Sequence, residues 1–227
     1  MTTFCGRFLD DELKYKLENF YCHEVSEEFK ERHGIRGFIS FLDYMNNKPK
    51  DISYLLDFYI QTDLKILDVF DFTEVENADY AFRHSSYFPL QKFNKLKSAI
   101  GMFYDSNIDK FPSIDFSTVI DGTKMFANSK ITELSDINFA SLKVGTKMFH
   151  FSHINTVHNC YFPELMYADY MFYATTIRHL KPEQFPKLKY CKSFTNNATN
   201  LSEKFKNKIL SIDPESISTS ATKYYNY

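Results

Sequence analysis

The stretch DGTKMFANS at residues 121–129 recurs as VGTKMFHFS at residues 144–152, 23 residues further along the chain. Phe126 and Phe149 hold the same place in the two copies. Related positions continue the series in both directions at spacings of 21 to 23 residues, through Tyr59, Phe82, Phe103, Phe172 and Phe194. A period of this length is typical of repeat units that stack on one another.

Further positions keep the same phase as these aromatic anchors. Small residues precede the anchors, and Ser or Thr, Ile, Leu and a second Phe follow them. The unit is small-x-x-(Met/Ala)-Phe-x-x-Ser-x-Ile-x-x-Leu-x4-Phe-x-x-Leu. Two residues are missing between Leu90 and Phe93, which fits a shortened loop. So many columns in one phase indicate a regular internal architecture.

A unit of this size cannot bury its own apolar side, so stacking must place like residues over like. We expect two internal columns of Phe rings, Ser and Thr hydroxyls that satisfy backbone groups, and small residues that let neighbouring backbones approach. The Ile-x-x-Leu stretch predicts a short strand in a parallel sheet, and residues 121–129 predict a turn or a single helical turn. The alternative, pairs of short amphipathic helices, has little room in 23 residues.

The predicted fold class is therefore an α/β repeat solenoid, a leucine-rich-repeat-like stack with caps at both ends. Residues 1–50 are predicted to form a helical N-terminal cap, with one helix over 9–33 ended by Gly34 and a second over 35–45. This segment could instead be a separate binding module. Residues 51–201 form the predicted stack. Residues 202–227 are predicted to form a C-terminal capping helix, with Ser202 as its N-cap, and a tail.

The unit resembles the BspA-like, Treponema-type leucine-rich repeats, in which Gly-x-x-Ala-Phe-x-x-Cys is followed by spaced aliphatic residues. Gly145, Met148, Phe149 and Ser152 stand at those places in this sequence. The sequence departs from the family pattern because Ser or Thr replaces Cys, Phe dominates over Leu and Ile, and the aliphatic spacing is shifted by about one residue. The resemblance implies the fold and a role in protein contact or adhesion, without catalysis.

Composition and motifs argue against several classes of function. The net charge of −2 gives no general attraction for nucleic acid, and the four Cys form no CxxC pair. With no apparent signal peptide and no long apolar run, we expect a soluble cytoplasmic protein without a membrane partner. We find no phosphate-binding loop, nucleophile elbow or HExxH motif, so we expect no catalytic residue, metal or cofactor. His150, His153, His158 and Cys160 could bind a metal only if they converged, and because the repeat register separates them we interpret the histidines as surface residues.

We expect a protein partner to contact outward positions beside the predicted strand. These sheet-side residues are Asp109, Lys110, Thr132, Glu133, Asn155, Thr156, Arg178 and His179. A second set marks an acidic early segment and a basic late segment: Asp63, Asp68, Glu74, Glu76, Lys187, Lys189 and Lys192. The charged segments could be ordinary solvated faces, an electrostatic guide for a partner, or a cause of head-to-tail self-association.

The leading functional hypothesis is a non-enzymatic inhibitor or adaptor that docks on a host protein. The richness in Asn, Lys, Ile, Phe and Tyr suggests a phage product, and hence an antagonist of host defence. One alternative is a virion or cell-surface adhesion module. A second is nucleic-acid binding through the basic C-terminal end. The oligomeric state is left open by the sequence.

Overall fold

The computed structural model describes residues 3–4, 7–8, 27–34, 36, 41–55, 67–68, 70–88, 92–111, 114–196 and 200–218. Strands β1 (Thr3–Phe4) and β2 (Arg7–Phe8) pair antiparallel, and helices α1 (Glu27–Arg32) and α2 (Phe41–Asn46) follow. The repeat region contains the parallel strands β3 (Glu133–Ser135) and β4 (Thr156–His158), then a 3-10 turn at Pro182–Gln184. Helix α3 (Glu203–Ile212) comes last.

Equivalent segments of successive units lie side by side and pair in parallel. The longest ladder passes through the residue just before each small residue, in the order Asn77, Ser98, Asp121, Val144, Tyr167 and Tyr190. Strands β3 and β4 form a second ladder, in which Leu134 pairs with Val157. The predicted strand at Ile-x-x-Leu is therefore present in two units, but the more continuous ladder lies elsewhere in the unit.

The repeated stretch around each anchor is a turn that bonds to the next unit, not a helical turn. The N–H groups of Lys124 and Phe126 donate to the carbonyls of Thr146 and Met148, at 3.0 and 2.8 Å. A positive φ, between 55° and 59°, occurs two residues before the anchors from Phe82 to Phe172, at Tyr80, Gly101, Lys124, Lys147 and Tyr170, and also at Tyr54 in the first unit. Only one of these six residues is Gly, so the stack tolerates this backbone strain in L-residues.

Two columns of fully buried Phe rings form the core, as the periodicity predicts. In the first column, Phe126 stacks on Phe103 and on Phe149 with ring centroids 5.4 Å apart in both pairs. In the second, Phe162 stacks on its neighbours Phe139 and Phe185 at 5.2 and 5.1 Å. Each buried ring contributes roughly 1.5–3 kcal/mol of transfer free energy. These columns hold the units in register.

The Ser and small-residue columns have separate roles. The hydroxyls of Ser129 and Ser152 donate to the carbonyls of Phe126 and Phe149 at 2.7 Å, so these members of the column satisfy backbone groups within the turn, as predicted. The small residues lie where the backbones of neighbouring units approach, as expected, since the Gly122 N–H donates to the Val144 carbonyl at 2.9 Å. A Cβ added at Gly122 would lie 3.1 Å from Cδ1 of Leu142.

The first unit departs from the predicted register. Asp51 pairs with Asn77, an offset of 26 residues, and the Tyr54 N–H donates to the Asp79 carbonyl at 2.8 Å. The 23-residue step therefore does not hold for residues 51–54, whose offset to their counterparts in the next unit is 26. Tyr59 itself lies outside the described residues.

The helices contact the two ends of the stack. Gly34, with φ +64°, follows α1 as predicted, and the rest of the predicted first helix up to residue 26 is outside the described part. The second predicted helix is described only as α2, and Arg36 is not helical. The His33 Nε2 lies 3.1 Å from the Ser53 carbonyl, and the Arg32 guanidinium lies 3.9 Å from the Tyr54 ring centroid. The N-terminal segment thus covers the first unit.

At the other end, α3 closes the Phe columns. The Ser202 hydroxyl accepts a bond from the Phe205 N–H at 3.3 Å, so the predicted N-cap is confirmed. The buried Phe205 ring lies 5.8 Å from Phe185 and 5.9 Å from Phe194. Lys208 Nζ donates to the carbonyls of Pro182 and Phe185 at 2.8 and 2.7 Å. It thus satisfies acceptors that have no following repeat unit to donate to them.

Candidate binding surfaces

The sheet-side residues lie together in the order that the sequence predicts. The Thr132 N–H donates to the Asp109 carbonyl, Asn155 to Thr132, and Arg178 to Asn155, at 3.2, 2.9 and 2.9 Å. In the neighbouring column, bridges join Lys110 to Glu133 and Glu133 to Thr156, and His179 is exposed further along the chain. Two adjacent columns of acidic, basic and neutral polar side chains therefore run along this side of the stack, as expected.

The character of this sheet-side surface is polar. Thr156 Oγ1 donates to Asn155 Oδ1 at 2.8 Å, and Ser135 Oγ donates to Glu133 Oε1 at 2.7 Å. Among the described residues, the large exposed apolar side chains all lie in other columns. Protein interfaces usually depend on a few aromatic or apolar anchors. The sheet-side surface supplies hydrogen-bonding groups but lacks such an anchor.

Most of the predicted electrostatic residues are paired across neighbouring units. Glu74 binds Lys95 and Glu76 binds Lys97, both at 2.7 Å, while Lys187 binds Glu164 at 2.6 Å. Lys192 lies 3.0 Å from Glu215, and Asp68 accepts a hydrogen bond from the Tyr87 hydroxyl. Asp63 lies outside the described residues. Since such exposed pairs add little stability, their main effect is to cancel local charge in the acidic and basic segments.

The ion pairs of Glu76 change the acidity of its carboxyl group. Lys97 and Lys50 both donate to its carboxylate, and these hydrogen bonds hold the pKa of Glu76 below its usual value. In contrast, Lys189 has no side-chain partner among the residues that the structure describes. The predicted electrostatic set therefore divides into paired residues and one unpaired lysine.

A surface column that the sequence analysis missed runs one residue after the buried Leu column. Its backbone N–H groups each donate to the carbonyl of the preceding member at 2.8 to 3.0 Å. Glu76 is the member before Lys97, and the five later members, which we call the lysine–apolar column, are Lys97, Ile120, Lys143, Met166 and Lys189. Ile120 is 40% exposed and Met166 is half-buried. Cationic and apolar side chains thus alternate from one unit to the next.

The next residue of each unit belongs to the long ladder and forms what we call the corner column. Its late members are Val144, Tyr167 and Tyr190. The two Tyr rings stack in parallel, with centroids 4.8 Å apart and an interplanar angle of 2°. They remain 42% and 52% exposed. The corner column therefore supplies a rigid aromatic pair beside the lysine–apolar column, which is the anchor that the sheet-side surface lacks.

A third group of aromatic and cationic side chains lies on what we call the turn face, the surface formed by the turns around the anchors. Tyr54 stacks on Tyr80 at 5.0 Å under the Arg32 guanidinium, and His150 stacks on Tyr173 at 5.6 Å. Burial, followed by the positive charges of Lys147 and Lys124, lowers the pKa of His150 to about 4. These ring faces are largely covered by one another or by a cation. They consolidate the turns and leave little open ring area for a ligand.

The His and Cys residues considered as a metal site do not assemble one. Cys160 is fully buried, and its Sγ lies 3.6 and 3.4 Å from the carbonyls of Leu134 and His158. Burial raises the pKa of this thiol. Across the described ranges, we find no group of three His, Cys, Asp or Glu side chains that could hold a metal ion. Cys160 and Cys191 are both free and buried, whereas Cys5 and Cys22 are outside those ranges.

No family model, curated protein or solved structure matches this chain. The resemblance to BspA-like repeats therefore remains an expectation from the repeat unit alone. Of the described helices, none is both long and apolar enough to cross a membrane.

Proposed function

We propose that the chain is a leucine-rich-repeat-type solenoid that binds a protein partner and catalyses no reaction. It acts as an inhibitor or adaptor by occupying part of the partner's surface. The observation that carries this proposal is the exposed Tyr167–Tyr190 pair, held at 4.8 Å on a hydrogen-bonded ladder beside Met166. Aromatic and Met side chains fixed on a rigid scaffold are typical anchors of protein interfaces.

Rigidity favours binding through this face. Tyr167 pairs with Val144 on one side and with Tyr190 on the other, so the backbone beneath both rings is fixed. Since little side-chain or backbone freedom remains to be lost, a partner meets a preorganised surface. The sheet-side residues, including Asn155 and Arg178, stay a prediction and would contribute polar contacts in a larger interface.

The charges around the rings favour a protein over a nucleic acid. Lys187 and Lys192 are in ion pairs, so few cations of the late segment are free to meet phosphates. The two Tyr rings also cover one face of each other, which halves the area on which bases could stack. A tyrosine edge flanked by apolar side chains suits a protein surface better.

We place the protein in the cytoplasm, where the buried free thiols of Cys160 and Cys191 would remain reduced. A composition that suggests a phage product directs the search for a partner to host proteins, including components of defence.

The test is capture of a partner from host lysate by the full chain, compared between surface variants. We expect a stoichiometric protein to bind the wild-type chain and to be lost from the Tyr167→Ala/Tyr190→Ala double variant. The Phe151→Ala variant is the matched control, because Phe151 is also 40% exposed but lies on the turn face. Thermal unfolding of each variant verifies that the fold is retained.

Two results would count against the proposal. One is the absence of any protein captured in stoichiometric amount by the wild-type chain. The other is a captured protein that the double variant retains as well as the wild type does, since binding would then use another surface.

A further inference from the structure

We infer that the lysine–apolar column is the docking track for one α-helix of the partner, with an acidic residue at every seventh position of that helix. The inference rests on the proposed protein-binding function and deepens it by naming the element that is recognised. Its basis is a match between two repeats, the units of the stack and the turns of an α-helix.

Basic and apolar side chains alternate along the lysine–apolar column. Lys97, Lys143 and Lys189 recur every second unit, and Ile120 and Met166 occupy the units between them. The cations are therefore separated by two unit spacings and are never adjacent. Lys143 and Lys189 have no side-chain partner within the described part of the chain, whereas Lys97 binds Glu76. Two of the three cations are free to meet a carboxylate.

The spacing of residues along the column is close to the rise of an α-helix per turn. Parallel strands lie about 4.8 Å apart, so successive members of the column are separated by about the same distance. The 4.8 Å between the Tyr167 and Tyr190 rings agrees with this spacing. Seven residues of an α-helix rise about 10.5 Å, compared with about 9.6 Å for two units of the column. A helix that lies parallel to the column therefore stays within about 2 Å of register over the four unit spacings from Lys97 to Lys189.

This match of spacings requires a particular sequence pattern in the helix of the partner. Residues separated by three or four positions share a helix face, so one face presents positions i, i+4, i+7, i+11 and i+14. Opposite the lysine–apolar column, these positions meet Lys, Ile, Lys, Met and Lys in turn. The complementary helix carries Asp or Glu at i, i+7 and i+14, and apolar residues at i+4 and i+11.

The neighbouring columns determine where the helix lies. The corner column forms one wall, since Val144, Tyr167 and Tyr190 follow the lysine–apolar residues directly in each unit. On the other side run polar residues, among them Ser141 and the ion pair of Lys187 with Glu164. The apolar residues of the helix would therefore face the tyrosine wall as well as Ile120 and Met166. This is the usual arrangement of an amphipathic helix in a groove.

The test uses designed peptides and the full chain. The in-register peptide is an Ala-based helix with Glu at i, i+7 and i+14 and Leu at i+4 and i+11. The out-of-register peptide has the same composition, with Glu at i+4, i+7 and i+11 and Leu at i and i+14. Each exposed ion pair contributes roughly a two- to fivefold change in affinity. We expect fluorescence anisotropy to give an affinity at least about tenfold higher for the in-register peptide, with the difference shrinking at high salt.

A charge reversal tests the register directly. Lys143→Glu should weaken binding of the in-register peptide several-fold and strengthen binding of a peptide with Lys at i+7. Lys124→Glu is the control, because it makes the same charge change on the turn face. Equal affinities for the two registers, or equal effects of the two reversals, would overturn the inference. So would tighter binding of a single-stranded oligonucleotide than of the in-register peptide, if Lys143→Glu abolished it.

Failure here is distinguishable from failure of the proposed function. A lysate partner that is lost from the Tyr167→Ala/Tyr190→Ala variant, but that is bound equally well by Lys143→Glu, preserves the protein-binding role and rejects the helix track.

Discussion

The phenol ring of Tyr80 lies on the backbone of Gly101, so closely that a Cβ added to Gly101 would fall 2.3 Å from Cε1 of the ring. Gly101 also has a positive φ of 56°. Equivalent positions in other units carry Lys124 and Lys147 at nearly the same φ, so the conformation alone does not require Gly. The ring of the preceding unit explains why this unit has Gly.

Gly101→Ala should therefore destabilise the fold by about 2 kcal/mol, through the left-handed conformation and the displaced ring. Denaturant unfolding measures the loss. In a Tyr80→Ala background the same substitution should cost about 1 kcal/mol less, because only the backbone term remains. Identical costs in the two backgrounds would mean that the ring does not lie on Gly101.

The Ser column offers a comparison between two buried hydroxyls. Ser152 Oγ donates to the Phe149 carbonyl at 2.7 Å, whereas Ser106 Oγ is buried with no partner in the part of the chain described. Ser152→Ala should reduce the free energy of unfolding by about 1 kcal/mol. Ser106→Ala should leave it unchanged or raise it, since an unsatisfied hydroxyl is replaced by a methyl group. Equal losses would contradict this assignment of hydrogen bonds.

The C-terminal end can be tested through Lys208. Lys208→Met keeps most of the apolar stem but removes the donor to the Pro182 and Phe185 carbonyls, and should cost about 1–2 kcal/mol. Lys204→Met is the control, because Lys204 forms an exposed pair with Glu183 and should cost less than about 0.5 kcal/mol. Chemical denaturation of both variants measures the difference. A Lys208→Met variant as stable as the control would show that those carbonyls need no cap.

The stability of the fold should depend on the protonation of His150. Its folded pKa of about 4 is below the ordinary value of 6.5, so the unfolded chain binds more protons between these two values. The contribution of His150 to stability is therefore lost as pH falls from 6.5 towards 4. Wild-type protein should lose more unfolding free energy than His150→Gln between about pH 7.5 and about pH 5.

NMR titration of the same residue separates the causes. Because the charge of Lys147 helps to lower the pKa of His150, Lys147→Ala should raise that pKa. Lys130→Ala, which removes a charge that does not act on His150, should leave it in place. An unchanged midpoint in Lys147→Ala would leave burial and the charge of Lys124 as the causes.

The buried columns were predictable because their chemistry repeats in every unit. Phe103, Phe126 and Phe149 occupy one environment, so the same residue type recurs at each step. The hydroxyl column follows for the same reason. The positive-φ column was not predictable, since Tyr, Lys and Gly all occur in it and residue type does not reveal the conformation.

The register of the first unit and the binding face were missed for different reasons. The 26-residue offset between Asp51 and Asn77 breaks the period, and only hydrogen bonds reveal it. On the lysine–apolar column, the chemistry repeats every second unit, so Lys97 and Lys143 are 46 residues apart. A search for one residue type per unit passes over such a pattern. The sheet-side residues were placed correctly, but only the structure shows that the exposed tyrosines lie in other columns.

Methyl NMR of methionine tests the binding face most directly. Met166 is half-buried in the lysine–apolar column, whereas Met125, Met148 and Met171 are fully buried in neighbouring units. With methyl-labelled Met in the full chain, addition of the captured partner should shift or broaden the Met166 resonance and leave those three nearly unchanged. A saturating partner that leaves the Met166 resonance unmoved would contradict binding through this face.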